Sequence, residues 1–250
     1  MAYYEQRQRA ESFGQAAQNY DKFRPKYPET LVRKILDSST PDGPRVLDVG
    51  AGTGILAAQL RETGCKVLAV EPDSQMAAIA RGKGLIVEDS TFENWDPAGR
   101  TFDIITFGQS FHWVDPALAL PQIAQALNPR GILALAWNDI QATGETGSAL
   151  APIVKRFSPP PTPSSEHADE EHPVLGDLKT NGFDAEELTF EESLIYSRDS
   201  WLSMVFTHSA QLTMEPAERD QMFAEMTAVM TDSGLTAHNE AQLILARPSG

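Results

Sequence analysis

The stretch that most constrains this chain is Arg45-Val46-Leu47-Asp48-Val49-Gly50-Ala51-Gly52-Thr53-Gly54-Ile55-Leu56. An apolar run holding one acid, 46–49, stops at glycines spaced G-x-G-x-G, and a helical pattern begins near Ile55. This reads as a buried strand feeding a tight turn and a helix N-terminus. Backbone N–H groups left free at such a terminus favour a polar or anionic ligand. Glycines there admit dihedrals that side chains forbid and let a ligand approach the backbone. A glycine-rich turn serves several ligands, so the flanking chain has to choose among them.

From residue 45 the chain alternates strand and helix. Strands are expected at 45–49, 66–71, 85–89, 102–107 and 132–137, and helices at 53–63, 75–81 and 115–127. Gly64 is a C-cap candidate, Pro72, Asp73 and Ser74 open the second helix, and Gly82 and Gly84 close it. The third helix should kink at Pro121, and Asn128-Pro129-Arg130-Gly131 turns into the fifth strand. That rhythm predicts an α/β fold, a doubly wound parallel sheet with helices on both faces.

Upstream, the pattern predicts a helix over 5–21 with Phe13, Ala17 and Tyr20 on one side, a proline-held extended piece at 23–28, and a helix over 29–36. Downstream, 143–147 reads as a loop, 149–157 as a helix, 186–196 and 240–247 as strands, and 197–211 and 216–230 as helices. Met222, Phe223, Met226 and Met230 form a stripe expected to pack in the core. The proline-rich, acidic 158–172 segment reads as an exposed loop; His167 and His172 among its acids are not taken as a metal site. One domain over 1–250 follows, with a helical cap or lid at 1–44, a ligand-binding core at 45–138 and an acceptor side at 139–250.

A formal charge of −15 disfavours a broad phosphate-backbone footprint, so no nucleic-acid partner is expected, and chemistry on a small molecule is. No apolar run approaches membrane-spanning length, and the N-terminus lacks the apolar core of a signal peptide. The single cysteine, Cys65, excludes an internal disulfide framework and fits a reducing cytoplasm.

Three ligands compete for the glycine turn. A dinucleotide site usually shows G-x-G-x-x-G, and a phosphate-binding loop needs Gly-Lys-Ser/Thr after its glycines; neither is present. The third is S-adenosylmethionine. Residues 46–54, Val-Leu-Asp-Val-Gly-Ala-Gly-Thr-Gly, resemble the first motif of class I S-adenosylmethionine-dependent methyltransferases. Glu71, about twenty residues past the first glycine, ends the second strand, where a carboxylate can accept from both ribose hydroxyls. Asp89 resembles the family's adenine-binding acid, and 127–131 its turn into the fifth strand, with Arg130 where glycine is common. The resemblance implies a Rossmann-like seven-stranded sheet with an antiparallel hairpin at its C-terminal edge, for which 186–196 and 240–247 are the candidates. A narrower likeness, in 20–28 and 109–113, is to the small-molecule, trans-aconitate methyltransferase-like group, some of whose members methylate carboxylates.

Candidate cofactor-binding residues are Asp48, Gly50, Ala51, Gly52, Thr53, Glu71, Pro72, Met76, Asp89, Ser90 and Gln109, joined by Tyr20 and Arg24 from the N-terminal segment. Asp48 would order the turn, Met76 would lie over the adenine, and Arg24 would pair with the cofactor carboxylate. His112, in the loop after the fourth strand, is the candidate base. The expected reaction is methyl transfer to a small-molecule oxygen, carboxylate or hydroxyl, by in-line displacement governed by positioning. The rival reading is a non-catalytic cofactor-binding regulator on the same fold. A nucleic-acid methyltransferase is disfavoured by charge and by the lack of an Asn/Asp-Pro-Pro-Tyr/Phe tetrad after strand four.

Overall fold

The computed structural model describes residues 13–39, 42–157 and 173–249. Its strands are β1 (Arg45–Val49), β2 (Lys66–Val70), β3 (Ile86–Glu88), β4 (Phe102–Gly108), β5 (Leu127–Ala142), β6 (Phe183–Tyr196) and β7 (Leu235–Pro248). They form one sheet in the order β3-β2-β1-β4-β5-β7-β6. The first five run parallel, and β7 lies antiparallel between β5 and β6. The Rossmann-like sheet with a C-terminal antiparallel strand is therefore present.

The helices are α1 (Ala17–Phe23), α2 (Glu29–Asp37), α3 (Ile55–Glu62), α4 (Ser74–Gly82), α5 (Pro116–Ala126), α6 (Gly144–Phe157), α7 (Pro173–Thr180), α8 (Arg198–Val205), α9 (Ser209–Leu212) and α10 (Pro216–Val229). Strand alternation divides the core. Leu47, Val49, Phe107 and Leu135 face α5 and α7, whereas Val46, Ile104 and Ala134 face α2, α3 and α4. Because both faces are covered, β1 is buried from Val46 to Val49 and shows no polar alternation. A third cluster joins Met222 and Met226 of α10 to Leu150 of α6 and Trp201 of α8 against Ala237 of β7. The methionine stripe is core as expected, except that Phe223 is 47% exposed.

Five local expectations need correction. The N-terminal helix, in its described part, is a 3-10 turn at Gly14–Ala16 followed by α1; the rest of 5–21 lies outside the described residues, as does 158–172 with His167 and His172. The turn at 128–131 sits within β5 as an irregularity, with Arg130 at φ 70°, a dihedral that explains why glycine suits that position. β5 also runs past Asn138 to Ala142, because β7 pairs with it there, and 144–147 is the first turn of α6 and not a loop. The single helix expected at 197–211 is broken between α8 and α9. At the break Thr207 Oγ1 donates to the Met204 carbonyl at 2.6 Å, competing with the helical ladder.

Gly54 fixes the junction of turn and helix. It occupies the N-cap position of α3 at φ 78° with no side chain to accept from the helix, and a Cβ there would stand 2.4 Å from Leu85 Cδ1 and 3.2 Å from Ala80 Cβ. Gly54→Ala should cost roughly 2–4 kcal/mol, left-handed strain plus overpacking. Urea unfolding tests this, and an unchanged midpoint would contradict the packing described.

Candidate functional site

A cavity of about 750 Å³ opens at the carboxyl ends of β1, β2 and β4, where open parallel sheets hold ligands. Its floor is the glycine turn. Asp48 is 1% exposed, and its Oδ1 accepts from Thr106 Oγ1 at 2.6 Å. The Ala57 amide, in the first turn of α3, is a second donor to it. Since Gly54 has no side chain with which to cap α3, Asp48 supplies that acceptor from the strand below. Burial nevertheless dominates and holds the Asp48 carboxyl up at about 7.

Glu71 follows β2 directly. Its Oε2 accepts from the Gly52 amide and its Oε1 from the Asp73 amide, each at 2.8 Å. The carboxylate thus ties the glycine turn to the entry of α4. Each oxygen keeps a lone pair for a further donor. Burial raises Glu71 to about 7 against those two hydrogen bonds. Gly52 sits at φ 58° with nothing within 4 Å of where a Cβ would point, so the backbone is open to a ligand. Asp73 caps α4, accepting from the Gln75 and Met76 amides.

The far wall comes from the N-terminal segment and from the β4 loop. Phe13 packs edge-on to both Tyr20 and Trp113, closing one side. Gln109 takes φ 58°, strained for a non-glycine residue, and is held there as Nε2 donates to the Asn138 carbonyl at 2.8 Å. Arg24 Nε donates to Thr207 Oγ1 at 2.9 Å and Nη2 to the Thr207 carbonyl at 3.2 Å, and its guanidinium lies 4.9 Å from the Tyr20 ring centre. Among the described residues no carboxylate lies within ion-pair distance of it. Burial lowers the Arg24 pKa, and the guanidinium remains a cation.

The cavity brings together Tyr20, Arg24, Asp48, Gly50, Ala51, Gly52, Glu71, Pro72, Met76, Ser90 and Gln109. Three expected residues stand apart from its wall. Thr53 is wholly buried, its hydroxyl without a partner among the described residues. Asp89 is paired with Arg81 at 2.6 Å. His112 lines a second cavity, of about 1050 Å³, that adjoins the first. Glu93, Asp139 and His208 of the first wall went unread in the sequence. Asp139 and His208 reach the site only through the β5–β7 pairing and the α8–α9 break, which leave no local pattern.

The charge of the wall discriminates among ligands. Among the described residues, Asp48, Glu71, Asp73, Glu93 and Asp139 share the wall with one guanidinium, that of Arg24. Such a wall repels the pyrophosphate of a dinucleotide and suits a ligand with a positive centre and one anionic end. Met76 and Phe92 add apolar surface to the same wall.

Residues 20–141 match the family model described as "Methyltransferase domain". An uncharacterised methyltransferase of Mycobacterium bovis is 38% identical over 129 residues, 51% of this chain and 52% of that protein. The chain thus matches about half the length of this curated relative. A solved structure from Anaeromyxobacter dehalogenans, assigned as a type II methyltransferase, superposes with a TM-score of 0.67 at 19% identity, covering 91% of this chain and 100% of the other. An S-adenosylmethionine-dependent methyltransferase from Thiobacillus denitrificans, solved with S-adenosylhomocysteine, gives 0.51 at 18% identity over 90% and 94%.

The raised carboxyls give a signed pH dependence. A carboxyl whose folded pKa lies above its unfolded value of roughly 4 contributes stability below that value and loses it as pH rises through the folded pKa. For Asp48 that loss runs up to about 7. Asp48→Asn keeps the acceptor and cannot ionise. Its melting temperature minus that of the wild type, by calorimetry without ligand, should therefore climb between about pH 5 and pH 8. A constant difference would contradict the assignment.

Proposed function

We propose that this chain, whose residues 20–141 match the methyltransferase-domain model, is a class I S-adenosylmethionine-dependent methyltransferase that binds S-adenosylmethionine over the glycine turn and transfers its methyl group to an oxygen of a small molecule. The observation that carries this reading is the pairing of Glu71 with the open Gly52 backbone inside an acid-rich wall that, among the described residues, holds one guanidinium. The S-adenosylhomocysteine held by the Thiobacillus protein, on the same fold, supports the choice of cofactor. Glu71 would accept from the ribose hydroxyls, Met76 would cover the adenine, Tyr20 and Arg24 would take the methionine carboxylate, and Gln109 would border the sulfur. Ala51, Pro72 and Ser90 would give contact, and Thr53 and Asp89 would act from behind the wall.

The donor arrives with its methyl group already activated, so the chain's task is alignment and exclusion of water. The second cavity, sharing Phe13, Gln109, Trp113 and His208 with the first, would take the acceptor. The cap before residue 45 and the elements after 138 would enclose it, which favours an enzyme over a regulator. No described helix is long and apolar enough to cross a membrane, and we read the setting as cytoplasmic, with neither membrane nor nucleic acid as partner.

Titration calorimetry with S-adenosylhomocysteine tests this. Wild-type affinity should fall as pH drops below about 7, where Glu71 takes up a proton. Glu71→Ala should weaken binding at least about tenfold, since it removes hydrogen bonds to a charged group; unchanged affinity would remove Glu71 from the site. His112→Ala should lower turnover modestly and leave cofactor affinity intact. Abolished cofactor binding would refute its place on the acceptor side.

A further inference from the structure

The break between α8 and α9 places one more titratable side chain at the site. His208 Nδ1 lies 2.8 Å from the Val205 carbonyl, and the His208 amide donates to that same oxygen at 3.1 Å. A carbonyl carries no proton, so Nδ1 holds the hydrogen and Nε2 keeps its lone pair. Among the described residues nothing donates to Nε2. His208 borders both cavities, whereas His112 borders the second alone. The walls of that second cavity include Phe111, Trp113, Trp137, Leu150, Trp201 and Met204, a strongly aromatic and apolar lining.

We propose that His208 is the catalytic base of the methyl transfer and that its acceptor is a hydroxyl on a largely apolar, aromatic-sized body. The inference rests on the methyltransferase reading above. The hydroxyl donates to Nε2, which turns an oxygen lone pair toward the methyl group. The O–CH₃ bond forms as the S–CH₃ bond breaks, with its electron pair left on sulfur as a neutral thioether. The hydroxyl proton passes to Nε2 and is released to solvent when the products leave. Burial, with help from the Arg24 charge, holds the His208 pKa at about 3. The ring is therefore neutral and ready at ordinary pH. A weak base suffices here, because an oxygen gaining a methyl group acquires oxonium character and becomes a stronger acid than that imidazolium.

The probes are 4-propylphenol and its methyl ether, which differ only in the hydroxyl hydrogen and the methyl group. Calorimetry with S-adenosylhomocysteine comes first; a wild type that does not bind it sinks the cofactor reading and this inference with it. On the S-adenosylhomocysteine-saturated wild type, the phenol should bind about tenfold tighter than the ether, as expected for one hydrogen bond. His208→Phe should bring that ratio to about one, with the affinity for the ether and for S-adenosylhomocysteine within about twofold of wild type. With radiolabelled S-adenosylmethionine, transfer to the phenol should fall about 100-fold in His208→Phe. His208→Gln, a second variant should the first not fold, should keep part of the binding preference and lose turnover equally. A phenol preference that survives His208→Phe, turnover that survives His208→Gln, or a wild type that binds S-adenosylhomocysteine but neither probe would each overturn the assignment.

Discussion

The structure depends on one buried carboxyl at the end of its central strand. Asp48 has no solvent, so its hydrogen bonds come from Thr106 on the neighbouring strand and from the first turn of α3. Those bonds fix β1 against β4 and start the helix whose N-terminus overlooks the site. Gly54 cannot cap that helix and is obligatory for the turn, so the acid and the glycine are two halves of one arrangement. A carboxyl held at about 7 in the interior is costly, and it is offset best by a positive charge arriving from the cavity.

That cost connects fold to ligand. Glu71 sits in the same condition one strand away, also raised to about 7, and binds the glycine turn to the α4 entry. Two depressed acidities at one cavity floor make a site that gains from a cation and loses from a phosphate. Arg24 lies at the opposite wall, anchored by Thr207 from the C-terminal half. The cofactor proposed here carries a sulfonium for the acidic floor and a carboxylate for the Arg24 guanidinium. Arg24 also explains why the N-terminal segment is part of the cavity: its guanidinium ties the end of α1 to the α8–α9 break through Thr207.

What could be read in the sequence follows the range of the forces involved. β1, the glycine turn and α4 with its Asp73 cap are local, set by apolar runs and capping residues within a few positions. Eleven of the fourteen candidate site residues line the cavity, because most follow the carboxyl end of a strand that the apolar runs mark. Asp89 was read by its place at a strand end, but its side chain turned to Arg81, a choice between two neighbours that spacing does not reveal. The extension of β5 to Ala142 needed a partner strand about a hundred residues away, and 138–142 alone looks like a loop. The break at 206–208 is made by Thr207 bonding back to Met204, and a helical pattern runs through it undisturbed. His208 was hidden for that reason. The part of the chain after 138 takes its shape from tertiary pairing, which is why the proposed donor was legible and the acceptor was not.

The most direct test of the central claim is a crystal structure of the protein with S-adenosylhomocysteine. The ribose hydroxyls should lie within hydrogen-bond distance of Glu71, the amino-acid carboxylate should face Arg24, and the sulfur should open toward the cavity that His208 borders. A ligand bound elsewhere, or bound over the glycine turn with its ribose away from Glu71, would contradict the claim.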